Sequence, residues 1–327
     1  MKISITMIVL LILNVSTVCG IDYKTKGVKM TQQDKADSLL SVADDIFQAN
    51  NIDDAFDAYS TAFEAARKEF NRSVEIEALS QMARMKLKSG KKEDGRTFLA
   101  QAEERATESD PMGYSRFLGV KGRFEWLDDD LKSARVTFSA MYDFCHANAL
   151  WGRVIDAANM MAIVSDSPED QIEWSKKGIE TAEATETEGL LGALWNNLAG
   201  TYYDLKDFEN ALECYKKSRE YHWRFSGEMG KLYADYHIGM TLRLLGKHEE
   251  ALTWLRPVLA WAERLGNHSA IGQACEDMGE IAFAKGNKSD ALKYLKRAKA
   301  EYKEAGFNTS WQEIWENINT RIKTVEG

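Results

Sequence analysis

Residues 195–215 read WNNLAGTYYDLKDFENALECY, and the spacing inside this stretch decides the fold. Trp195 and Tyr202 are separated by two helical turns, so both lie on one face of a helix. The polar residues that follow end this helix, and Ala211 belongs to a second helix. Ala199 and Ala211 are small, which lets two antiparallel helices approach closely. The stretch therefore predicts a tightly packed helical hairpin.

The same frame recurs along the chain at a period of 37 to 40 residues. One position in each second helix is occupied mostly by small residues: Ala55, Gly95, Ala134, Gln171, Ala211, Ala251 and Ala291. Twelve residues earlier in each case stands a matching position in the first helix: Ala43, Ala83, Gly122, Asn159, Ala199, Gly239 and Gly279. A register kept over seven hairpins predicts a stacked repeat, in which each hairpin buries its apolar face against the next.

The pattern W-x2-L-A-x2-Y followed by A-x3-Y, formed by Trp195, Leu198, Ala199, Tyr202, Ala211 and Tyr215, resembles the tetratricopeptide repeat signature. The period near 40 resembles a longer variant of this family found in protein–protein adaptors. The resemblance implies an all-α protein, an α-α superhelix or solenoid of seven helical hairpins. The fourth repeat is the weakest, because Asn159, Gln171 and Ser175 replace small and aromatic residues.

The predicted organisation has four parts. Residues 1–20 form a signal peptide and residues 21–35 a flexible lead. Residues 307–327 form a capping helix, in which Trp311, Ile314, Trp315, Ile318 and Ile322 recur at helical spacing. Between them, repeats are predicted at residues 36–72, 73–112, 113–149, 150–188, 189–228, 229–267 and 268–306.

The N-terminus has the composition of an export signal. Lys2 precedes an uncharged, mostly apolar segment, and small residues around Gly20 suit cleavage there. We expect a secreted or periplasmic protein with no transmembrane span in the mature chain. Two alternatives are an uncleaved segment that tethers the chain to a membrane, and a lipid anchor at Cys19.

The composition and motifs favour a binding protein over an enzyme. The formal net charge of −9 argues against nucleic acid as a partner, since phosphate binding needs a basic surface. The sequence has no glycine-rich phosphate loop, HExxH, GxSxG or CxxC motif. We therefore predict no catalytic residues, no cofactor and no metal site.

The resemblance implies that the first helices line a concave groove that binds a protein or peptide partner. Counting from the small residue of each first helix gives the candidate groove residues: Arg84, Arg116, Arg123, Trp126, Arg153, Asn196, Asn197, Tyr203, Tyr233, Tyr236, His237 and Arg243. Arginines dominate the N-terminal half and would bind carboxylates. Asparagines can bind peptide backbone through both amide atoms.

These residues predict an extracytoplasmic scaffold that holds an extended or acidic peptide segment. One alternative is a structural subunit of an envelope assembly that uses its second helices. Another is a domain that senses a glycan or an oligopeptide, in which Trp126, Tyr203 and Tyr236 would stack on the ligand.

Overall fold

The computed structural model describes residues 34–49 and 51–327. The predicted signal peptide, Cys19 and most of the predicted lead lie outside the described residues. The described part is helical throughout and contains no strand. It divides into two compact units, one ending at Leu198 and the other beginning at Ala199.

The first unit consists of antiparallel helices that pack in chain order. They are α1 (Asp34–Gln48), α2 (Ile52–Glu69), α3 (Arg72–Lys88), α4 (Lys92–Glu103), α5 (Pro111–Leu127), α6 (Leu131–Ala147), α7 (Trp151–Val164) and α8 (Pro168–Ala184). Helix α9 (Leu191–Asp204) begins in this unit after a short 3-10 turn, Glu188–Leu190. We call α1, α3, α5 and α7 first helices and their partners second helices. Helix α1 also contacts α3, α3 contacts α5 and α5 contacts α7.

The second unit continues the alternation of first and second helices. It contains the end of α9, then α10 (Phe208–Phe225), α11 (Glu228–Leu244), α12 (His248–Leu265), α13 (His268–Ala284), α14 (Lys288–Glu304), α15 (Phe307–Ser310) and α16 (Gln312–Glu326). Here α9, α11 and α13 are the first helices. Helix α16 packs on α14 and buries Ile318, Ile322 and Val325.

Small residues lie where the two helices of a hairpin meet. A Cβ atom on Gly122 of α5 would lie 2.7 Å from the ring of Phe138 on α6. In the second unit, a Cβ atom on Gly239 would lie 2.9 Å from the side chain of Leu255. These contacts leave no room for a methyl group, so the small residues set the distance between the helices.

The turns within hairpins use left-handed backbone conformations. Gly246 and Gly286 have φ angles of 72° and 78°, which glycine adopts without steric cost. Asp129 and Lys206 take the same conformation at corresponding turns. The next helix is then capped by a side chain, as where Asp207 accepts a hydrogen bond from the backbone N–H of Asn210.

The fourth hairpin forms despite its unusual residues. Asn159 and Ser175 are buried, and the Gln171 side chain donates to the carbonyl of Ser165 at 3.2 Å. Gly178 of α8 faces both neighbouring helices: a Cβ atom there would lie 3.5 Å from Ala158 of α7 and 3.2 Å from Leu194 of α9. The other hairpins mostly have small residues at the positions of Asn159 and Gln171. In this hairpin the polar side chains at these positions form hydrogen bonds instead.

Within the described residues, each helix falls short of the length or the hydrophobicity needed to cross a bilayer.

Candidate peptide-binding surface

Each of the candidate groove residues lies on a first helix. Arg84 is on α3, Arg116, Arg123 and Trp126 are on α5, Arg153 is on α7, Asn196, Asn197 and Tyr203 are on α9, and Tyr233, Tyr236, His237 and Arg243 are on α11. Contact with a ligand stays a prediction for all of them. The structure shows which neighbours each of these side chains has.

In the first unit, arginines on successive first helices converge on one carboxylate. Arg116 Nε and Arg153 Nη2 lie 3.2 Å and 2.8 Å from Oε2 of Glu77. Arg116 also lies 3.7 Å from Asp44 on α1. The buried carboxylate of Glu77 thereby connects α3, α5 and α7.

A second buried pair lies beside the first. Arg123 Nη2 contacts Asp156 Oδ1 at 2.7 Å, and its Nη1 donates to the carbonyl of Gly119 at 2.7 Å. Burial raises the pKa of Asp156, but Arg123, Arg84 and Arg153 outweigh it and hold the pKa below its ordinary value of 3.8. Asp156 is therefore ionised at neutral pH although it is buried.

Lys88 completes this cluster and is missing from the sequence prediction. Its Nζ lies 5.2 Å from the ring centroid of Phe47, and the guanidinium of Arg84 lies 4.9 Å from the same ring. Burial, together with the nearby Arg84 and Arg123, lowers the pKa of Lys88 to about 8. Lys88 follows Arg84 by four residues on α3, so helical periodicity alone places it on the same face.

These contacts and electrostatic interactions join charged groups of α1, α3, α5 and α7. Of the described residues, five cations and three carboxylates take part. We name this set the cationic cluster: Arg84, Lys88, Arg116, Arg123, Arg153, Asp44, Glu77 and Asp156. The basic residues of this cluster lie in a chain whose formal net charge is −9.

Two asparagines lie at the end of the first unit, on α9. Asn197 Nδ2 donates to Oδ1 of Asn159 at 2.7 Å. Asn196 is buried, and its Nδ2 has no hydrogen-bond partner within the described part of the chain. The amide donor without a partner among the described residues is therefore that of Asn196, whereas that of Asn197 is bound to Asn159.

Trp126 serves the packing of the first unit. It is partly buried against the hydrophobic cluster that contains Phe117 and Phe138. A large part of its ring is thus already covered by the protein, which leaves less of it for stacking on a ligand.

In the second unit, the aromatic candidates contact one another. Tyr236 lies 6.4 Å from Tyr233 and 5.6 Å from His237, between ring centroids, and Tyr203 lies 5.7 Å from Phe208. Burial lowers the pKa of His237 to about 3, so its imidazole is neutral at physiological pH. Tyr203 and Tyr233 are half-buried and keep some exposed ring surface.

The charged groups on α11, α13 and α16 of the second unit also form ion pairs. Arg243 Nε lies 2.5 Å from Asp277 Oδ1, and Arg321 of α16 lies 3.0 Å from both Glu276 and Glu280. Burial raises the pKa of Glu276, and Arg321 offsets this only in part. Arg243 is therefore paired with a carboxylate, as Arg123 is in the first unit, and it lies near the further acids Glu276 and Glu280.

Within residues 34–49 and 51–327, no three His, Cys, Asp or Glu side chains are grouped closely enough to hold a metal ion.

Comparison with known families identifies repeats in the second half of the chain. Tetratricopeptide repeat models match residues 192–219 and residues 231–304. The first match covers the stretch 195–215 from which the hairpin was predicted. The chain thus contains tetratricopeptide repeats, as its sequence predicts. No curated protein sequence matches it.

Solved structures confirm the fold class. A signal transduction ATPase with numerous domains, which has a tetratricopeptide repeat sensor, from Pyrococcus horikoshii is 15% identical, with a TM-score of 0.65; the match covers 86% of this chain and 46% of that one. A Rap protein complexed with competence and sporulation factor is 14% identical, with a TM-score of 0.59, over 90% and 85% of the two chains. The quorum sensor NprR from B. thuringiensis is 12% identical, with a TM-score of 0.53, over 91% and 89%. This chain spans less than half the length of the first of these structures. At such low identity the likeness shows the predicted all-α tetratricopeptide-like solenoid and nothing finer.

Proposed function

We propose that the protein is a binding scaffold that holds an extended, acidic peptide segment of a partner on the first helices of its first unit. The observation that carries this proposal is the cationic cluster, in which basic side chains from three first helices lie together around Glu77 and Asp156. Guanidinium groups bind carboxylates through charge-assisted hydrogen bonds. A Rap protein of the same fold is described in complex with competence and sporulation factor, which supports a binding role.

Lys88 is the residue of the cluster at which a ligand carboxylate would bind most favourably. Its lowered pKa shows that the protonated amine is destabilised by burial and by two arginines. A carboxylate beside it would remove this destabilisation and raise the pKa again. Peptide binding and protonation of Lys88 are therefore coupled, and acidic peptides bind more tightly below pH 8 than above it.

The amide of Asn196 supplies a contact of a different kind. Its Nδ2 is a buried donor with no partner among the described residues, and a peptide carbonyl would satisfy it. The cationic cluster thus selects acidic side chains, while Asn196 binds the backbone of any sequence.

We further propose that the scaffold acts outside the cytoplasm and uses the longer-period form of the repeat. Residues 1–20 have the charge and hydrophobicity pattern of a signal peptide. The spacing of about 40 residues between repeats rests on the small-residue register of the sequence.

The test compares binding of a labelled glutamate-rich peptide with that of a matched glutamine-rich peptide, by fluorescence anisotropy. We expect Lys88→Met to weaken binding of the acidic peptide about tenfold, as for loss of one charge-assisted contact. The same variant should unfold at a higher urea concentration at pH 7, because the folded protein no longer carries a destabilised ammonium group. Lost affinity together with increased stability separates a binding role from a structural one.

Lys132→Met is the matched control. Lys132 is exposed on the second helix α6, so its removal should leave peptide affinity and stability unchanged. Equal binding of the acidic and the glutamine-rich peptide, or full affinity in Lys88→Met, would contradict the proposal.

A further inference from the structure

Helix α13 carries two buried side-chain oxygen atoms that accept no hydrogen bond within the described part of the chain. They are Oε1 of Gln273 and Oδ2 of Asp277. The two residues are four positions apart, so they lie on one face of the helix with Cβ atoms about 5–6 Å apart. A buried oxygen without a donor is unfavourable, so both atoms indicate a place where a ligand would supply N–H groups.

The same face of α13 carries Glu276 and Glu280, which open it to solvent. Their side chains are 16% and 29% exposed, whereas Asp277 is 4% exposed. Positions 273, 276, 277 and 280 recur at helical spacing and form one stripe. We call Gln273, Glu276, Asp277 and Glu280 the acceptor stripe, because each of them presents side-chain oxygen atoms.

The guanidinium groups beside the acceptor stripe leave both of these buried oxygens unbound. Arg243 Nε contacts Oδ1 of Asp277 at 2.5 Å and leaves Oδ2 without a bond. Arg321 Nη1 lies 3.0 Å from both Glu276 and Glu280, so one nitrogen serves two carboxylates. Burial raises the pKa of Glu276, and Arg321 offsets this only in part. The stripe therefore favours an additional donor that carries positive charge.

Tyrosines line the acceptor stripe on its buried side. Tyr302 donates a hydrogen bond to Oε2 of Glu276 at 2.5 Å. Tyr203 and Tyr236 lie near Asp277, since burial and the negative charge of Asp277 raise the pKa of both hydroxyl groups. Aromatic rings attract cations. These neighbours therefore favour a positively charged ligand over a neutral one.

We propose that the acceptor stripe binds the ammonium group of an alkylamine, either a lysine side chain or a polyamine. An ammonium group places three N–H donors on one compact charged atom. Its charge-assisted hydrogen bonds, each about 2.8 Å long, let one nitrogen bridge the oxygens of Gln273 and Asp277. Glu280, the most exposed carboxylate of the stripe, lies where the ligand enters. This role is independent of the proposed peptide binding, because it uses side chains of the second unit.

Isothermal titration calorimetry of the full chain tests the proposal with two ammonium sources. One probe is spermidine, and the other is a blocked tripeptide with lysine between two glycines. We expect at least one probe to bind, and its uncharged counterpart to bind at least about tenfold more weakly. The counterparts are spermidine acetylated on all three nitrogens and the tripeptide with norleucine in place of lysine. Binding of spermidine alone assigns a polyamine, and binding of the tripeptide alone assigns a lysine side chain.

Two variants locate the binding on the acceptor stripe. Glu280→Gln removes a charge at nearly constant size, and we expect it to weaken binding of the probe about tenfold. Gln273→Leu removes an oxygen that has no donor, and binding should weaken about three- to tenfold. The urea midpoint of Gln273→Leu should stay equal or rise, because the folded protein loses a buried acceptor without a bond. A purely structural role would lower that midpoint instead.

Glu213→Gln is the matched control. Glu213 is exposed on the second helix α10, where it pairs with Lys216 at 2.7 Å, and its loss should leave binding of the probe unchanged. Affinity for the acidic peptide should be the same in all three variants, which separates this site from the cationic cluster. Equal binding of a probe and its uncharged counterpart, or full affinity in Glu280→Gln, would overturn the proposal. So would the absence of binding by both probes.

Discussion

At the scale of single residues, the small side chains between helices tolerate the least change. Gly122 and Gly239 lie against Phe138 and Leu255, which are fully buried and have no free space beside them. Both glycines were identified from the sequence by their register alone. Their contacts explain why the register requires a small residue at these two positions.

We expect Gly122→Ala to destabilise the protein by about 1–3 kcal/mol, because the new methyl group would overlap the ring of Phe138. Urea unfolding followed by circular dichroism measures the change. Gly189→Ala is the control, since a Cβ atom there has no neighbour within 4 Å. Unchanged stability in Gly122→Ala would show that the two helices move apart at little cost.

The buried pair of Arg123 and Asp156 makes a second prediction at this scale. Asp156→Ala leaves a buried guanidinium without its carboxylate, and we expect a loss of about 3–5 kcal/mol. The double variant Arg123→Met/Asp156→Ala should lose less free energy of unfolding than Asp156→Ala, because no unpaired charge remains. Denaturant unfolding measures the free energy of unfolding of both variants. The difference between the two losses separates the effect of the unpaired charge from that of the cavity that the truncation leaves.

The same pair contributes a pH dependence of known sign. The folded pKa of Asp156 lies below the unfolded value of 3.8, so the unfolded state binds more protons in this range. The stability that Asp156 contributes is complete above pH 3.8 and is lost as the pH falls through the folded pKa. Asp156→Ala should therefore lack this part of the acid-induced loss.

At the scale of elements, the last helix covers the apolar side of the final hairpin. Ile318 and Val325 of α16 are buried, and Tyr302 and Phe307, on the elements before it, stack at 5.1 Å between ring centroids. A terminal helix of this kind protects the last repeat from solvent. The sequence indicates its role through the helical spacing of Ile318 and Ile322.

We expect Ile318→Ala to cost about 2–5 kcal/mol, since it removes a fully buried side chain and leaves a cavity. Hydrogen exchange should speed up first in α16 and α14, because these helices pack on each other. Thr320→Ala, at an exposed position nearby, should behave like the unmodified protein. Unchanged exchange in α14 would show that α16 does not protect the last hairpin.

At the scale of the whole molecule, charge is unevenly distributed along the chain. The first unit contains the cationic cluster, whereas first helices of the second unit carry Glu276, Asp277 and Glu280. The net charge of −9 therefore does not describe the first helices of the first unit, which carry the five basic residues of the cationic cluster. A partner that binds the first unit is expected to be acidic even though the protein is acidic overall.

The location of the protein can be tested on the intact molecule. We expect the mature chain to begin at Ile21, because residues 1–20 have the pattern of a cleaved signal peptide. Mass spectrometry of the protein purified from its native source measures the N-terminal residue. A chain that retains Met1, or one that carries lipid on Cys19, would contradict this prediction.

The sequence by itself determined the hairpins, their register and the face of each first helix that carries polar groups. These features depend on residues three, four and twelve positions apart, and helix geometry converts such spacings directly into packing. The partners that those polar groups contact follow from the tertiary structure alone. Arg153 reaches Glu77, 76 positions away in the chain, and Asp235 fixes Trp223 from the following helix. Such contacts depend on how hairpins stack and on the burial that stacking creates, and for that reason the low pKa of Lys88 cannot be seen in local spacing.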